Sequence, residues 1–236
     1  MGCCTAREYP TLGTIENDCL SKISSHTENY KLHLDLSAKF PVGLINSVSP
    51  VDYNCTVDVI QQSSDPAFLL HILKAGPDPL RLVATEQLLE LARSGQEHFA
   101  EEVVAGGGLP TLVRWLGCSH NALRMKCAAL CSLMYKGSTA RQDLFVDVNG
   151  HYKLVQLLSW NSGEAYGCRK VLKYIEALLL DSDRHVRVYI GQHLHEAMLY
   201  EVLRQCQQTL QSPKLLTRVR QLKSLLVTEV LRGAKR

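Results

Sequence analysis

The sequence predicts an all-α fold, a right-handed α-solenoid of about four three-helix repeats that follows a mostly irregular N-terminal arm. Three observations support this prediction. Apolar residues recur at helical spacing over most of the chain, a glycine-led pattern restarts with a period of about 40 residues, and Gly or Pro separates the helical segments. Such a period is typical of a solenoid, in which each unit buries its apolar face against its neighbours.

The composition limits the class of protein. The chain has 236 residues, 46% of them hydrophobic, and a net charge of +3. This apolar content suffices for a large core, whereas so small a net charge gives no argument for nucleic-acid binding. No apolar run reaches the roughly 18 residues of a membrane span, and none near the start fits a signal peptide. The nine cysteines are therefore expected to be reduced thiols of a cytosolic protein.

Residues 1–7 are predicted to be an acylation segment. After removal of Met1, Gly2 would accept myristate, and Cys3 and Cys4 would accept palmitate. One myristoyl chain binds a bilayer only marginally, so a second acyl chain suits a stable anchor. Ala6 departs from the Ser or Thr that the myristoylation pattern usually has there. The alternative is an ordinary Met-Gly start with two unmodified cysteines behind it.

Residues 8–55 are polar and differ from the rest of the chain. The alternation of Leu32, Leu34 and Leu36 indicates extended structure, and Pro41 excludes a continuous helix. The first 55 residues hold four basic and six acidic side chains. The segment is interpreted as a tether, or as an arm that docks its apolar residues onto the solenoid.

The solenoid is predicted to cover residues 56–232. Each unit is expected to contain a short first helix, a second helix and a longer third helix, with the units at about 56–95, 96–137, 138–180 and 181–232. In the first unit, Asp65 is expected to cap a helix that begins at Pro66. In the fourth unit, helices are expected at 181–190, 192–209 and 213–232. Its last helix has an apolar stripe and a polar face, as a terminal repeat requires; the stripe is Leu215, Val219, Leu222, Leu226 and Val230.

The repeat is clearest between Gly106 and Ser159. The Leu-Val-x-x-Leu segment that begins at Leu112 recurs at Leu154, and the same offset relates Leu88 to Leu130 and Leu130 to Leu172. We therefore expect Leu130, together with Leu133, to lie at the centre of the core.

These residues resemble the armadillo repeat, whose unit has a Gly turn, a Leu-Val-x-x-Leu helix and a third helix reading Ala-x-x-Ala-Leu-x-x-Leu. The resemblance is carried by Ala105-Gly106, the segment that begins at Leu112, and Ala128, Leu130 and Leu133. It implies a protein-binding solenoid whose third helices line a concave groove. The nuclear-import members of the family place Trp and Asn along that groove to clamp basic peptides. Here Glu86 and Ala128 hold the Trp positions, and the Asn positions hold Glu90, Ser132 and Tyr174.

The Trp and Asn ladder is therefore missing from this chain. Trp115 and Trp160 lie outside those positions and are expected to pack between helices.

The residues do not indicate catalysis. Cys127 and Cys131 share a helix face near His120, but two such ligands on a core helix are weak evidence for a metal site, and buried cysteines are common. The glycines from Gly106 to Gly108 lack the Lys-Ser/Thr of a phosphate-binding loop, and no nucleophile elbow is present. The sequence predicts a non-enzymatic protein without cofactor or metal.

Basic residues concentrate on the third helices of the later units, which would line the groove. We predict that they bind an acidic or amphipathic segment of a protein partner, or the protein's own acidic arm; solvated helix faces are the alternative. The predicted groove residues are Arg124, Lys126, Arg169, Lys170, Lys173, Arg218, Arg220 and Lys223.

The acylated start and the repeats together resemble membrane-anchored proteins made only of armadillo repeats. That resemblance implies an adaptor or scaffold that recruits a protein partner to the cytosolic face of a membrane, an organelle or the plasma membrane, and does not bind nucleic acid. It is expected to be a monomer or a weak homodimer. The alternative is a soluble armadillo-like regulatory subunit without a lipid anchor.

Overall fold

The computed structural model describes residues 50–95, 98–182 and 184–233. The predicted acylation segment and most of the predicted arm lie outside these residues. Within them the chain is all-α, with twelve helices and no strand. The helices are α1 (Pro50–Gln62), α2 (Pro66–Ala75), α3 (Asp78–Arg93), α4 (Phe99–Ala105), α5 (Gly108–Trp115), α6 (Asn121–Tyr135), α7 (Thr139–Asp147), α8 (Gly150–Trp160), α9 (Ala165–Leu180), α10 (Arg184–Glu196), α11 (Leu199–Thr209) and α12 (Pro213–Gly233).

The helices form four successive groups of three. The third helix of each group packs against the third helix of the next, so that α3, α6, α9 and α12 are neighbours in that order. The second helices α2 and α5, and likewise α8 and α11, are also in contact. This arrangement confirms the predicted all-α solenoid.

Side-chain caps explain where several helices begin. The backbone N–H of Ala67 donates to Asp65 Oδ1 at 2.9 Å, and Pro66 occupies the first turn, which confirms the predicted cap of α2. The side chains of His120, Ser138 and Glu164 likewise cap α6, α7 and α9, respectively. The helix starts are thus encoded locally.

A residue in the left-handed conformation separates the first and second helices of three groups. These residues are Gly107 (φ 69°), Asn149 (φ 60°) and Met198 (φ 64°). Gly and Asn adopt this conformation readily, whereas Met does so rarely. The predicted continuous helix at 192–209 is therefore wrong, because Met198 separates α10 from α11 where the sequence carries no turn residue.

The first helix begins at Pro50, ahead of the predicted start at residue 56. The last residues of the segment interpreted as an arm, from 50 to 55, are therefore helical.

The core runs along the third helices. Leu130 is fully buried as predicted, but Leu133 is only half-buried, so its placement at the centre was wrong. Leu88 and Leu172, which the predicted offset relates to Leu130, are also fully buried. The turns between helices differ in length from unit to unit.

Arginine–tryptophan stacks join the first three units. The guanidinium of Arg81, early in α3, lies 4.2 Å from the ring centroid of Trp115, at the end of α5. Arg124, early in α6, stacks in the same way on Trp160 at 4.5 Å. Trp115 is half-buried, but Trp160 remains 47% exposed. The expectation that Trp160 packs between helices was wrong, since it covers the edge of the junction.

The last helix buries its predicted stripe except at one position. Leu215, Val219, Leu222 and Leu226 are buried, while Val230 is half-buried and the neighbouring Glu229 is fully buried. Arg232 donates to Glu229 Oε1 at 2.6 Å. A Cβ at Gly191 of α10 would lie 3.0 Å from Glu229 Cβ, so this glycine permits the close approach of α12. The sequence pattern did not predict the buried acid.

Candidate protein-binding groove

A groove lies along the third helices α3, α6 and α9, with a volume of about 640 Å³. Its floor is partly apolar and its walls carry charges of both signs. We call this surface the groove throughout; its main lining residues are Glu86, Glu90, Met125, Lys126, Lys170 and Tyr174. The position agrees with the expectation that third helices line the concave face of the solenoid.

The charges on the α3 side of the groove are paired within the chain. Lys126 Nζ lies 2.6 Å from Glu86 Oε1, and Arg93 Nη1 lies 2.7 Å from Glu90 Oε1. Both pairs are partly exposed to solvent, where ion pairs contribute about 0–1 kcal/mol. A ligand can therefore replace these partners at low cost.

The basic residues predicted for the groove fall into three sets. Lys126 and Lys170 line it, and Lys170 Nζ also lies 4.3 Å from the ring centroid of Tyr166. Three others are engaged elsewhere within the chain: Arg124 on Trp160, Arg218 with Glu176, and Lys223 over the ring of Tyr200. The last three are exposed and have no partner among the described residues; they are Arg169, Lys173 and Arg220.

Arg218 belongs to an interhelix ion pair. Its Nε donates to Glu176 Oε1 at 2.6 Å, and its Nη2 donates to Glu176 Oε2. Hydrogen bonding to this carboxylate raises the pKa of Arg218. The pair joins α9 to α12 beside a depression lined by Leu180, Lys214 and Gln221. The sequence could not show it, because the two partners lie in different units.

The sequence analysis did not predict that acidic residues line the groove. Glu86 and Glu90 were noted only as replacements for family positions, yet both line the groove beside Lys126. Their spacing of one helical turn on α3 was the available signal.

Cys127 and Cys131 of α6 are buried free thiols. Burial raises the pKa of the thiols of Cys127 and Cys131, so both stay protonated near neutral pH. In the described part of the chain, no group of three or more His, Cys, Asp or Glu is placed to hold a metal ion. Among the same residues, no helix combines the length and apolar character of a membrane span.

No protein-family model and no curated protein sequence matches the chain. Solved structures do. The structure of ARO, an armadillo repeats only protein from Plasmodium falciparum, aligns with a TM-score of 0.62 at 16% identity, over 86% of this chain and 99% of that one. The chain has the armadillo-repeat fold. A computationally designed armadillo repeat protein "for modular peptide recognition" aligns with a TM-score of 0.61 at 14% identity, over 80% of this chain and 79% of that chain.

A third structure comes from a study of the interaction between cadherin and β-catenin. It aligns with a TM-score of 0.57 at 13% identity, over 80% of this chain and 35% of that chain. At such identities the likeness establishes the fold, and the partners of this protein have to be argued from its own surface.

Proposed function

We propose that this protein is a non-enzymatic scaffold that binds an extended protein segment in the groove and is held on the cytosolic face of a membrane by N-terminal acyl chains. The observation that carries the first part is the groove itself, which runs across three consecutive third helices and contains both apolar and charged walls. One structural neighbour was designed for modular peptide recognition, and another comes from work on the interaction between cadherin and β-catenin, which is consistent with this use of the fold.

The groove fits an amphipathic segment better than a purely acidic one. Met125 and Tyr174 offer apolar contact between Glu86 and Lys170. The unpaired cations Arg169, Lys173 and Arg220 lie on α9 and α12. A segment with basic residues over α3 and acidic residues over α9 would match both ends of this surface.

The binding test uses peptides of that design. Reversal of Lys173 and Arg220 to Glu should lower the affinity for a peptide with acidic residues at its α9 end by roughly tenfold, because two attractive pairs become repulsive. Arg114→Glu with Arg204→Glu makes the same change in net charge on second helices and should leave affinity unchanged. Equal affinity of this variant and the parent at low salt would remove the cations of α9 and α12 from the proposed binding surface.

The arm can be tested in the same assay. Deletion of residues 8–49 leaves α1 intact, since that helix begins at Pro50. Binding should strengthen if the acidic arm occupies the groove, and should stay the same if the segment is only a tether.

The anchor rests on the start Met1-Gly2-Cys3-Cys4 alone. We infer that Gly2 is myristoylated and that Cys3 or Cys4 is palmitoylated. Gly2→Ala should move the protein from the membrane pellet to the supernatant, and Cys3→Ser with Cys4→Ser should leave weak, reversible binding. Ala6→Ser, which restores the usual pattern, is the matched control and should stay in the pellet. Unchanged fractionation of Gly2→Ala would favour the unanchored regulatory subunit.

A further inference from the structure

A cluster of exposed aromatic rings lies on α8 and α10, which do not line the groove. The rings of Tyr189 and His193 are 4.4 Å apart between centroids, and His193 lies 5.3 Å from His151, whose ring is 4.3 Å from that of Tyr152. Tyr152 is 42% exposed and Tyr189 is 39% exposed. We call Tyr152, Tyr189 and His193 the aromatic patch.

Three carboxylates lie near Tyr189 of this patch. Burial raises the pKa of Tyr189, and the negative charges of Asp147, Asp143 and Glu196 raise it further, so these carboxylates lie within electrostatic reach of the ring. Among the described residues, neither Asp143 nor Asp147 has a hydrogen-bond or ion-pair partner. The patch therefore carries negative charge that the protein itself leaves unbalanced.

A buried imidazole forms the base of the patch. His151 is only 1% exposed, and both of its ring nitrogens are buried. Burial, with a smaller contribution from His193, lowers the pKa of His151 to about 4. The ring is therefore neutral near pH 7, and one of its nitrogens is a hydrogen-bond acceptor.

We propose that the aromatic patch and its carboxylates bind a Lys or Arg side chain of a basic segment in a protein partner. Aromatic faces attract cations, and this attraction is strengthened where carboxylates lie beside the ring. The negative charge of the aromatic patch is opposite to that of the unpaired cations on α9 and α12. The patch and these cations would therefore bind different segments. The protein's own N-terminal residues, with six acidic and four basic side chains, do not match it.

The test measures anisotropy of a fluorescein-labelled lysine-rich peptide and of its glutamate-for-lysine counterpart. The lysine peptide should bind, with affinity that falls as salt rises, and the glutamate peptide should not bind the patch. Tyr152→Leu with Tyr189→Leu should lower the affinity for the lysine peptide roughly 5- to 30-fold, since two cation–π contacts are lost. Tyr152→Phe with Tyr189→Phe keeps both rings and should bind as the parent does.

A second pair of variants separates the patch from negative charge elsewhere on the solenoid. Asp143→Asn with Asp147→Asn should weaken binding of the lysine peptide roughly 2- to 10-fold. Asp58→Asn with Glu102→Gln removes the same charge from exposed positions on α1 and α4, outside the patch and the groove, and should have no effect. An equal loss of binding in this control pair, or full binding by the leucine variants with unchanged melting temperature, would overturn the proposal.

The chain's own C-terminus is the competing occupant. Helix α12 ends at Gly233 beside Val188 and Gln192 of α10, and Ala234-Lys235-Arg236 follow in the sequence. A chain that ends at Gly233 should bind the lysine peptide as the full chain does. Tighter binding by the shortened chain would mean that the tail fills the patch, and would overturn the assignment to a partner.

Discussion

The helices α6 and α9 in the middle of the solenoid bury almost only apolar side chains, whereas the junction of α8 and α9 with the fourth unit adds charged and polar contacts to an apolar core. In the middle, the buried residues of α6 and α9 include Leu130, Cys131, Val171 and Ile175. Their one polar exception is Tyr135, whose hydroxyl donates to the Tyr174 carbonyl at 2.6 Å.

The junction with the fourth unit is of another kind. Arg218 forms an ion pair with Glu176, His151 meets His193 edge to face, and Thr209 donates its hydroxyl to the Ser162 carbonyl at 2.7 Å. Cys168 of α9 also meets Cys206 of α11, and this contact raises the pKa of the Cys168 thiol. Apolar side chains carry no charge that can be screened or titrated, whereas salt screens the ion pair and pH changes the charge of the histidines. The fourth unit should therefore be the part of the solenoid whose attachment depends on solution conditions.

The largest expected effect belongs to the middle of the core. Leu130→Ala should lower the free energy of unfolding by about 2–5 kcal/mol, because a fully buried leucine leaves a cavity that close packing cannot refill. Urea unfolding followed by circular dichroism measures it. Leu231→Ala, at a side chain that is 58% exposed, is the control and should cost less than about 0.5 kcal/mol. Equal costs for the two would contradict the apolar character of the middle units.

The ion pair should give the next effect. Glu176 is 18% exposed and Arg218 is 33% exposed, so Arg218→Ala would leave a mostly buried carboxylate without its partner. We expect a loss of about 1–3 kcal/mol, reduced from the fully buried case by solvent. Arg218→Ala combined with Glu176→Gln should recover part of that loss. A double variant no more stable than the single one would show that the pair contributes no specific attraction.

The pH dependence should come from His151. Its pKa is about 4 in the folded state, below the value near 6.5 expected when unfolded, so the unfolded chain binds more protons between these values. Stability should therefore fall as the pH drops through this window, by about 1–2 kcal/mol from pH near 7.5 to pH near 5.5. His151→Gln should reduce this slope in urea titrations at several pH values. The same slope in parent and variant would assign the effect to other groups.

The smallest effect should come from the arginine–tryptophan stacks. Arg124→Ala should cost about 0.5–1 kcal/mol, since Trp160 is largely exposed and cation–π attraction is weak in contact with water. Arg81→Ala should cost more, because Trp115 is half-buried and the Arg81 side chain is only 19% exposed. Thermal melts of the two variants compare them directly, and the reverse order would refute the link to burial.

Local sequence determined the helices and much of their order. Asp65 and Pro66 begin α2, Gly107 and Asn149 mark two turns, and apolar spacing around Leu130 and Ile175 identifies the core helices. These features act over a few residues, so they can be read along the chain. The sequence also placed Lys126 and Lys170 on helices that line the groove.

Tertiary structure alone decided the rest. Met198 adopts a turn conformation that its residue type disfavours, because the packing of α10 and α11 requires a break there. Arg218 is joined to Glu176, Arg124 to Trp160 and Lys126 to Glu86; these partners lie in different units, so only stacking brings them together. The sequence shows which residues are charged, but whether a charge is available to a ligand depends on neighbours that are distant in the chain.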